Sequence, residues 1–329
     1  MVAAAQSGRM RDRAKASGKD DVLRLRAEEV LLTVSVRSFN GKLPSHLDPK
    51  DFIVAEDDRR QQITAIERTP ANALLILDTS GELPQVKTIN QNRDAALKII
   101  EGLSDEDSAS IMTYSDKVEL ISAWTKDHAE LRRALDWKFR PGLKARLYDS
   151  LLFASSEVLP KANGRRSIVL ITDGVDSFNP SAFSQVVAAL HRARATVYVV
   201  SLSALIMNEI NPRAFNPLSW YEKLDPQARK RIERLRAYAA QIKAGDSLLK
   251  RLVEETGGAM WTPTTMDEFK EINNRVIEEI GTEYVIAYST DRKPDDESFH
   301  LLKVYATHHD ISVRARRGVY SSQEEKRNR

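Results

Sequence analysis

The chain has 329 residues, enough for one large or two modest domains, and its 42% hydrophobic and 29% charged residues are ordinary for a globular protein. The net charge of +3 favours no acidic or basic partner, and the basic stretches near both ends lack the aromatic residues of a nucleic-acid-binding face, so we predict no nucleic-acid binding. The chain has no cysteine for disulfides or zinc–thiolate sites, and no run of 18 apolar residues to span a bilayer.

The first predicted element is a small antiparallel β unit at residues 28–70. Residues 1–27 are polar and have no hydrophobic periodicity, so we expect this segment to be flexible. The stretch "VLLTVSVRSF" then alternates apolar and polar residues at the period of a half-buried strand. Asn40 and Gly41 are typical of a tight turn, and residues 51–68 have the pattern of two further strands joined by a charged turn.

After Pro70 the pattern changes to alternating strands and helices. "ALLILD" (73–78) and "RSIVLITDG" (166–174) are continuous apolar runs, typical of strands that are covered on both faces of a parallel sheet. Helices are predicted at 89–103, 129–137, 147–159 and 181–194, and further strands at 108–115, 117–122 and 196–202. This alternation predicts an α/β fold, a doubly wound and mostly parallel sheet with helices on both faces.

Residues 205–245 interrupt this pattern, and we predict that they form an insertion. A segment rich in turn residues (208–226) precedes a basic amphipathic helix (227–245) with one apolar stripe. That stripe either docks the helix on the domain, which we favour, or binds a partner. Its members are Ile232, Leu235, Tyr238 and Ile242.

The chain closes with more helices and strands. A helix at 247–256 is predicted to stop at Gly257 and Gly258, a short strand follows at 259–263, and a helix at 266–284. The last strands, at 284–289, 300–307 and 311–320, alternate with period two. We expect residues 283–320 to complete a small β-sandwich with residues 28–70, around an α/β domain at 71–282, and residues 321–329 to form a flexible tail.

Two aspartates mark a candidate site. Asp78 and Asp173 each end an apolar strand before a turn that contains glycine. If the two strands are neighbours, the carboxylates meet at the carboxyl edge of the sheet, where ligands bind in open α/β folds. Two adjacent carboxylates repel unless a cation lies between them or one is protonated, and with Ser80 they offer the oxygen ligands that Mg²⁺ or Ca²⁺ prefers. The alternative is that each aspartate simply caps the next helix.

These same stretches resemble a known family. "LLILDTSG", "SIVLITDGVDS" and the order of the elements between them resemble a von Willebrand factor type A domain. The flanking segments resemble the bacterial exported "VWFA-related" proteins, so that the resemblance covers about residues 28–320 except the insertion. It implies a non-catalytic adhesion or protein-binding module, secreted or periplasmic, whose partner is another protein.

The resemblance also implies a metal-ion-dependent adhesion site with a known pattern: aspartate, any residue, serine, any residue, serine, then a threonine on a later loop, then an aspartate. Asp78, Ser80 and Asp173 match this pattern. Glu82 stands at the second serine and Ala145 at the threonine. The implied metal ligands are therefore Asp78, Ser80, Glu82 and Asp173, in a degenerate site for Mg²⁺ or Ca²⁺.

The two departures leave metal binding open. Glu82 adds a third negative charge and can fill the coordination position meant for a partner, whereas Ala145 supplies no oxygen. The loss of even an outer-shell group typically weakens metal binding by about 10–100-fold. Lys144 or Arg146, beside Ala145, offers a further alternative, in which an ion pair with Glu82 or with the aspartates replaces the metal.

Enzymatic chemistry has less support. The alternative function is a metal-dependent hydrolase that uses the carboxylates of Asp78, Glu82 and Asp173. Ser80 does not lie in a G-x-S-x-G nucleophile motif, and no glycine-rich phosphate-binding motif is present. We expect the paired His308 and His309 to lie at the surface, so we predict that the protein is not an enzyme.

Overall fold

The computed structural model describes residues 28–39, 46–81, 89–177, 183–216, 219, 225–290 and 298–320. Four sequence-based predictions lie outside these residues: the flexible segments at 1–27 and 321–329, the turn at Asn40 and Gly41, and the role of Glu82. No helix within the described ranges combines the length and the apolar character needed to cross a membrane.

The described residues form thirteen strands and seven α-helices in two sheets with their flanking layers. The strands are β1 (Glu28–Ser38), β2 (Phe52–Glu56), β3 (Arg59–Glu67), β4 (Ala71–Asp78), β5 (Ser108–Tyr114), β6 (Val118–Thr125), β7 (Arg165–Thr172), β8 (Ala195–Ser201), β9 (Met260–Trp261), β10 (Glu283–Thr290), β11 (Phe299–Ala306), β12 (Ile311–Ala315) and β13 (Gly318–Tyr320). The helices are α1 (Ile89–Gly102), α2 (His128–Lys138), α3 (Leu147–Phe153), α4 (Phe183–Arg192), α5 (Ser203–Phe215), α6 (Pro226–Thr256) and α7 (Met266–Gly281).

The larger layer is a six-stranded sheet in the order β6-β5-β4-β7-β8-β9. All of its strand pairs are parallel except β5 with β6 at one edge. The side chains of β7 and β8 are buried along their whole length, because separate apolar cores cover the two faces of the sheet. The prediction of a doubly wound, mostly parallel sheet is confirmed. Since β4 and β7 are direct neighbours, with Leu77 opposite Ile171, their carboxyl ends meet at one edge.

The terminal segments combine in a second, antiparallel sheet in the order β12-β1-β10-β3-β2-β11-β13. On β1 the predicted alternation is present, because Val30, Leu32, Val34 and Val36 are all buried in one core. The sequence predicts a small sandwich, and the structure gives this unit the form of one curled sheet around that core. The connection between β11 and β12 requires this curl. The five Cα–Cα steps from Ala306 to Ile311 reach at most about 18 Å. In a flat sheet, β11 and β12 would be separated by five strand spacings, about 24 Å.

The insertion differs from its prediction in two respects. The helix α5 occupies part of the segment that was predicted as turn-rich, and it contains Pro212. A proline inside a helix lacks the N–H for one backbone hydrogen bond, which explains why this sequence does not look helical. The helix ends at Phe215 because Asn216, which precedes Pro217 in the sequence, has the extended backbone (φ −68°, ψ 151°) that a following proline favours. The two helices predicted at 227–245 and 247–256 are one continuous helix, α6, which ends at Gly257 with a positive φ. The apolar stripe of α6 is buried, so the docked alternative is the one observed.

Candidate metal and protein-binding site at the carboxyl edge of the sheet

The carboxyl ends of β4 and β7 bring Asp78 and Asp173 together. Each aspartate is only 5% exposed. Burial and, after it, the negative charge of Asp173 raise the pKa of Asp78 to about 7. Neither aspartate is a helix cap, because the residues directly after them, 79–81 and 174–176, are not helical. The structure therefore places two strongly interacting carboxylates at the edge where the sequence predicts them.

Both carboxylate oxygens of Asp78 accept hydrogen bonds. Oδ1 accepts from the amide of Ser80 at 2.9 Å and from its hydroxyl at 2.6 Å. Oδ2 lies 2.9 Å from the Tyr114 hydroxyl and 3.3 Å from the Thr172 hydroxyl, and these two hydroxyl oxygens lie 2.6 Å apart. Since each hydroxyl has one hydrogen, one of the two donates to the other and the second donates to Oδ2. Neutral N–H and O–H donors thus stabilise the negative charge of this buried group.

Asp173 is held in a similar way from the other side. Its Oδ1 accepts from the amide of Val175 at 2.9 Å. Its Oδ2 accepts from the hydroxyl of Tyr238 at 2.5 Å. Tyr238 lies on α6, so the insertion contributes a side chain to the site.

Ala145 is buried, and its side chain supplies no oxygen. Its backbone forms a reciprocal pair of hydrogen bonds with Ser177: the Ala145 amide donates to Ser177 Oγ at 3.1 Å, and the Ser177 amide donates to the Ala145 carbonyl at 2.9 Å. The neighbouring Asp176 accepts from the amide of Tyr148 in the first turn of α3 at 2.8 Å. The loops that follow β7 and precede α3 are therefore fastened to each other.

Arg146, which follows Ala145, has partners away from the aspartate pair. Arg146 lies 2.8 Å from the Asp149 carboxylate and donates through Nε to the Asp116 carbonyl at 3.0 Å. Lys144 is exposed, and its amide donates to the Asp116 carboxylate at 3.2 Å. For Arg146, these contacts differ from the predicted ion pair with Asp78 or Asp173. The predicted pair with Glu82 lies outside the described residues.

The loop that carries Ala145 (residues 139–146) also exposes an apolar side chain. The amide of Gly142 donates to the carbonyl of Thr79, at the end of β4, at 3.0 Å, and the amide of Leu143 donates to Asp116 Oδ2 at 2.8 Å. A Cβ atom on Gly142 would lie 2.3 Å from Ser115 Oγ, so only glycine permits this close approach. The backbone of the loop is fixed against the site, whereas the Leu143 side chain is 68% exposed.

The oxygens at this edge do not fit a divalent ion as they stand. Mg²⁺ requires near-octahedral oxygen coordination and Ca²⁺ six to eight oxygens. Each carboxylate oxygen of Asp78 and Asp173 already accepts a hydrogen bond from the protein, and Ala145 supplies no ligand. Across the part of the chain that the structure describes, no group of three or more histidine, aspartate or glutamate side chains is arranged to hold a metal. The described hydrogen bonds of Ser80 and Asp78 also involve no histidine that would serve as a base for a Ser80 nucleophile.

Three residues of the site were missed from the sequence: Tyr114, Thr172 and Tyr238. Tyr114 ends β5, the strand next to β4, and Thr172 ends β7, so their positions at strand ends were a signal that could have found them. Tyr238 was assigned only to the apolar stripe of its helix, and no pattern in the sequence indicates where its hydroxyl points.

Comparison with known proteins agrees with the fold. The family model of the von Willebrand factor type A domain matches residues 72–228. Among curated proteins no sequence matches the chain. The solved structures that resemble it include proximal thread matrix protein 1 from the mussel byssus, at 14% identity and a TM-score of 0.46 over 73% of this chain and 51% of that one, so that the match spans about half of the mussel protein.

Two bacterial structures are also similar. A von Willebrand factor type A protein from Catenulispora acidiphila is 10% identical, with a TM-score of 0.45 over 91% of this chain and 75% of that one. An aerotolerance-related membrane protein from Bacteroides fragilis is 14% identical, with a TM-score of 0.41 over 65% of this chain and 98% of that one.

Proposed function

The chain contains a von Willebrand factor type A domain at residues 72–228, and from that premise we propose that it is a non-catalytic binding protein. We propose that it recognises another protein through the loops at the carboxyl edge of β4 and β7. From the resemblance to exported bacterial proteins alone, we propose that it works in the periplasm or outside the cell.

One observation carries this proposal: the loop at residues 139–146 presents Leu143 to solvent on a fixed backbone. An exposed apolar side chain on a fixed backbone can anchor a partner at little cost in conformational entropy, and an exposed arginine such as Arg140 in the same loop belongs to a residue type enriched among those that dominate binding energy. The amides of Gly142, Leu143 and Ala145 are all hydrogen-bonded within the edge, so little ordering remains to be done when a partner binds.

The charges around Leu143 suggest the chemistry of the partner. Arg140 and Lys144 flank it in the same loop, and both are exposed. A partner that places an apolar side chain on Leu143 and a carboxylate beside it would match this surface, because complementary charge raises association rates and fixes orientation.

The metal has at most a minor part in this proposal. We propose that Asp78, Ser80, Glu82 and Asp173 form a degenerate adhesion site, in which Mg²⁺ or Ca²⁺ contributes little to binding. The support is the absence of an oxygen on Ala145 and the protein donors that already occupy the carboxylates. Partner recognition is then largely independent of divalent ions.

Site-specific photo-crosslinking in the producing cells tests the proposal. A benzophenone amino acid at position 143 should crosslink a discrete protein partner, equally with and without EDTA. The matched control is position 301, because Leu301 is also an exposed leucine, 52% exposed, but lies on β11 of the other, antiparallel sheet. Crosslinks from position 301 but not from 143 would contradict the proposed surface, and crosslinks from 143 that EDTA abolishes would contradict the metal independence.

A further inference from the structure

The helix α6 makes contacts at the site that a helix docked only by its apolar stripe does not need. The hydroxyl of Tyr238 donates to Asp173 Oδ2 at 2.5 Å, although Tyr238 is 9% exposed and lies among apolar side chains of the core. A buried hydroxyl costs free energy unless it finds a partner, and this one binds the aspartate that the family pattern assigns to the metal.

A close backbone contact fixes α6 on the same turn. Gly174 follows Asp173 with a φ of +82°, and a Cβ atom on Gly245 of α6 would lie 2.1 Å from the Gly174 carbonyl oxygen. Only glycine at position 245 lets the helix backbone approach this turn so closely. Seven residues separate Tyr238 from Gly245, about two helical turns, so both lie on the same side of α6.

The next strand end is also bound by α6. Asp246 Oδ1 accepts from the hydroxyls of Ser201 and Ser203, at 3.2 and 2.9 Å, where β8 ends and α5 begins. The helix is therefore attached at the carboxyl ends of both β7 and β8. With this attachment the Tyr238 hydroxyl cannot leave Asp173 by a side-chain rotation into solvent, because the ring is packed in the core.

The chemistry of this contact opposes ion binding. A divalent ion at this edge needs a lone pair of Asp173 that points into the site, and a phenolic O–H directed at Oδ2 uses one. The paired hydroxyls of Tyr114 and Thr172 donate one hydrogen to Asp78 Oδ2 in the same way. Hydroxyl hydrogens thus supply, from inside the protein, the partial positive charge that a cation would supply.

From these contacts we infer that Tyr238 takes the place of the divalent ion, so that α6 of the insertion is an internal occupant of the site and keeps it closed to metal. The inference deepens the proposed function, on which it rests for the identity of the site. It concerns metal binding alone, so it can fail while the crosslinking result at position 143 stands, and the reverse also holds.

The test compares Tyr238→Phe with the wild type by calorimetric titration with Mg²⁺ and by thermal unfolding with and without 10 mM Mg²⁺ (on the order of the highest useful concentration for weak sites). Removal of one oxygen leaves the ring in place and frees Asp173 Oδ2. The wild type should show no Mg²⁺ effect up to that concentration, whereas the variant should bind Mg²⁺ with an apparent dissociation constant of about 1 mM or lower, a gain of at least about tenfold, the lower end of what one group contributes to a metal site. The matched control is Tyr198→Phe, because the Tyr198 hydroxyl also binds a buried carboxylate, that of Glu283 at 2.8 Å, but at the other end of the sheet.

Three results would overturn the inference. The first is Mg²⁺ binding by the wild type at submillimolar concentration that Asp173→Ala abolishes. The second is a Tyr238→Phe variant that gains no affinity, or gains no more than Tyr198→Phe does. The third applies if Tyr238→Phe is unfolded without metal: Mg²⁺ should then restore its folding, and failure to do so contradicts the inference.

Discussion

Buried carboxylates lie at both ends of the parallel sheet, but the groups that they contact differ. At the amino end, Glu283 is fully buried and lies 3.1 Å from the Arg165 guanidinium, with further hydrogen bonds from Ser167 and Tyr198 at 2.8 Å each. At the carboxyl end, Asp78 and Asp173 lie next to each other, and their described hydrogen bonds come only from amides and hydroxyls.

The difference separates a structural site from a candidate functional one. Arg165 also donates to the carbonyls of Ile280 and Glu283, so its ion pair joins β7 to the connection between α7 and the antiparallel sheet. The charges of Arg165 and Glu283 neutralise each other, and both residues hold the two layers together. At the carboxyl end, burial and the neighbouring Asp173 raise the pKa of Asp78 to about 7 in spite of its hydrogen bonds, and buried carboxylates with strongly shifted pKa values are typical of functional sites.

The largest expected effect comes from breaking the ion pair at the amino end. Arg165→Met leaves Glu283 buried without its cation, and loss of one partner of a buried pair typically costs about 3–5 kcal/mol. Denaturant unfolding should show a loss of this size in the free energy of unfolding. The double variant Arg165→Met/Glu283→Gln, which removes both charges, should recover at least half of the loss. A loss under about 1 kcal/mol for the single variant would mean that the pair does not hold the two layers together.

A smaller effect is expected when a charge is removed at the carboxyl end. Asp173→Asn keeps the size of the side chain and removes the repulsion with Asp78, but it weakens the hydrogen bonds from Val175 and Tyr238. Since these effects have opposite signs, we expect the free energy of unfolding to change by less than about 1 kcal/mol. Chemical denaturation of the Asp173→Asn and Arg165→Met variants under the same conditions compares the two effects directly. If Asp173→Asn lost as much free energy of unfolding as Arg165→Met, Asp173 would be a structural residue like Glu283.

The sequence was sufficient for the fold and for the meeting of Asp78 and Asp173. Continuous apolar runs identify strands that are buried on both faces, and neighbouring parallel strands must end at one edge. It was insufficient for α5, because Pro212, Asn208 and Asn211 have low intrinsic helix propensity and tertiary packing overrides that preference.

The hydrogen bond from Tyr238 to Asp173 also could not be predicted from the sequence. A tyrosine in an apolar helical stripe predicts a buried ring, and this was correct. The partner of its hydroxyl depends on how α6 crosses the sheet, which the Gly174–Gly245 contact sets across 71 positions of the chain. Periodicity within one helix carries no information about such a long-range contact.

The central claim is that hydroxyl groups of the protein, and not a divalent ion, stabilise the carboxylates at the carboxyl edge. A crystal structure of the wild type soaked in Mn²⁺, with anomalous data, tests it most directly, because Mn²⁺ binds the same oxygen ligands as Mg²⁺ and identifies itself by its anomalous signal. We predict that no anomalous peak appears between Asp78 and Asp173. We also predict that the Tyr238 hydroxyl remains hydrogen-bonded to Asp173. An ordered Mn²⁺ bound to Asp173, with the Tyr238 hydroxyl displaced, would contradict the account.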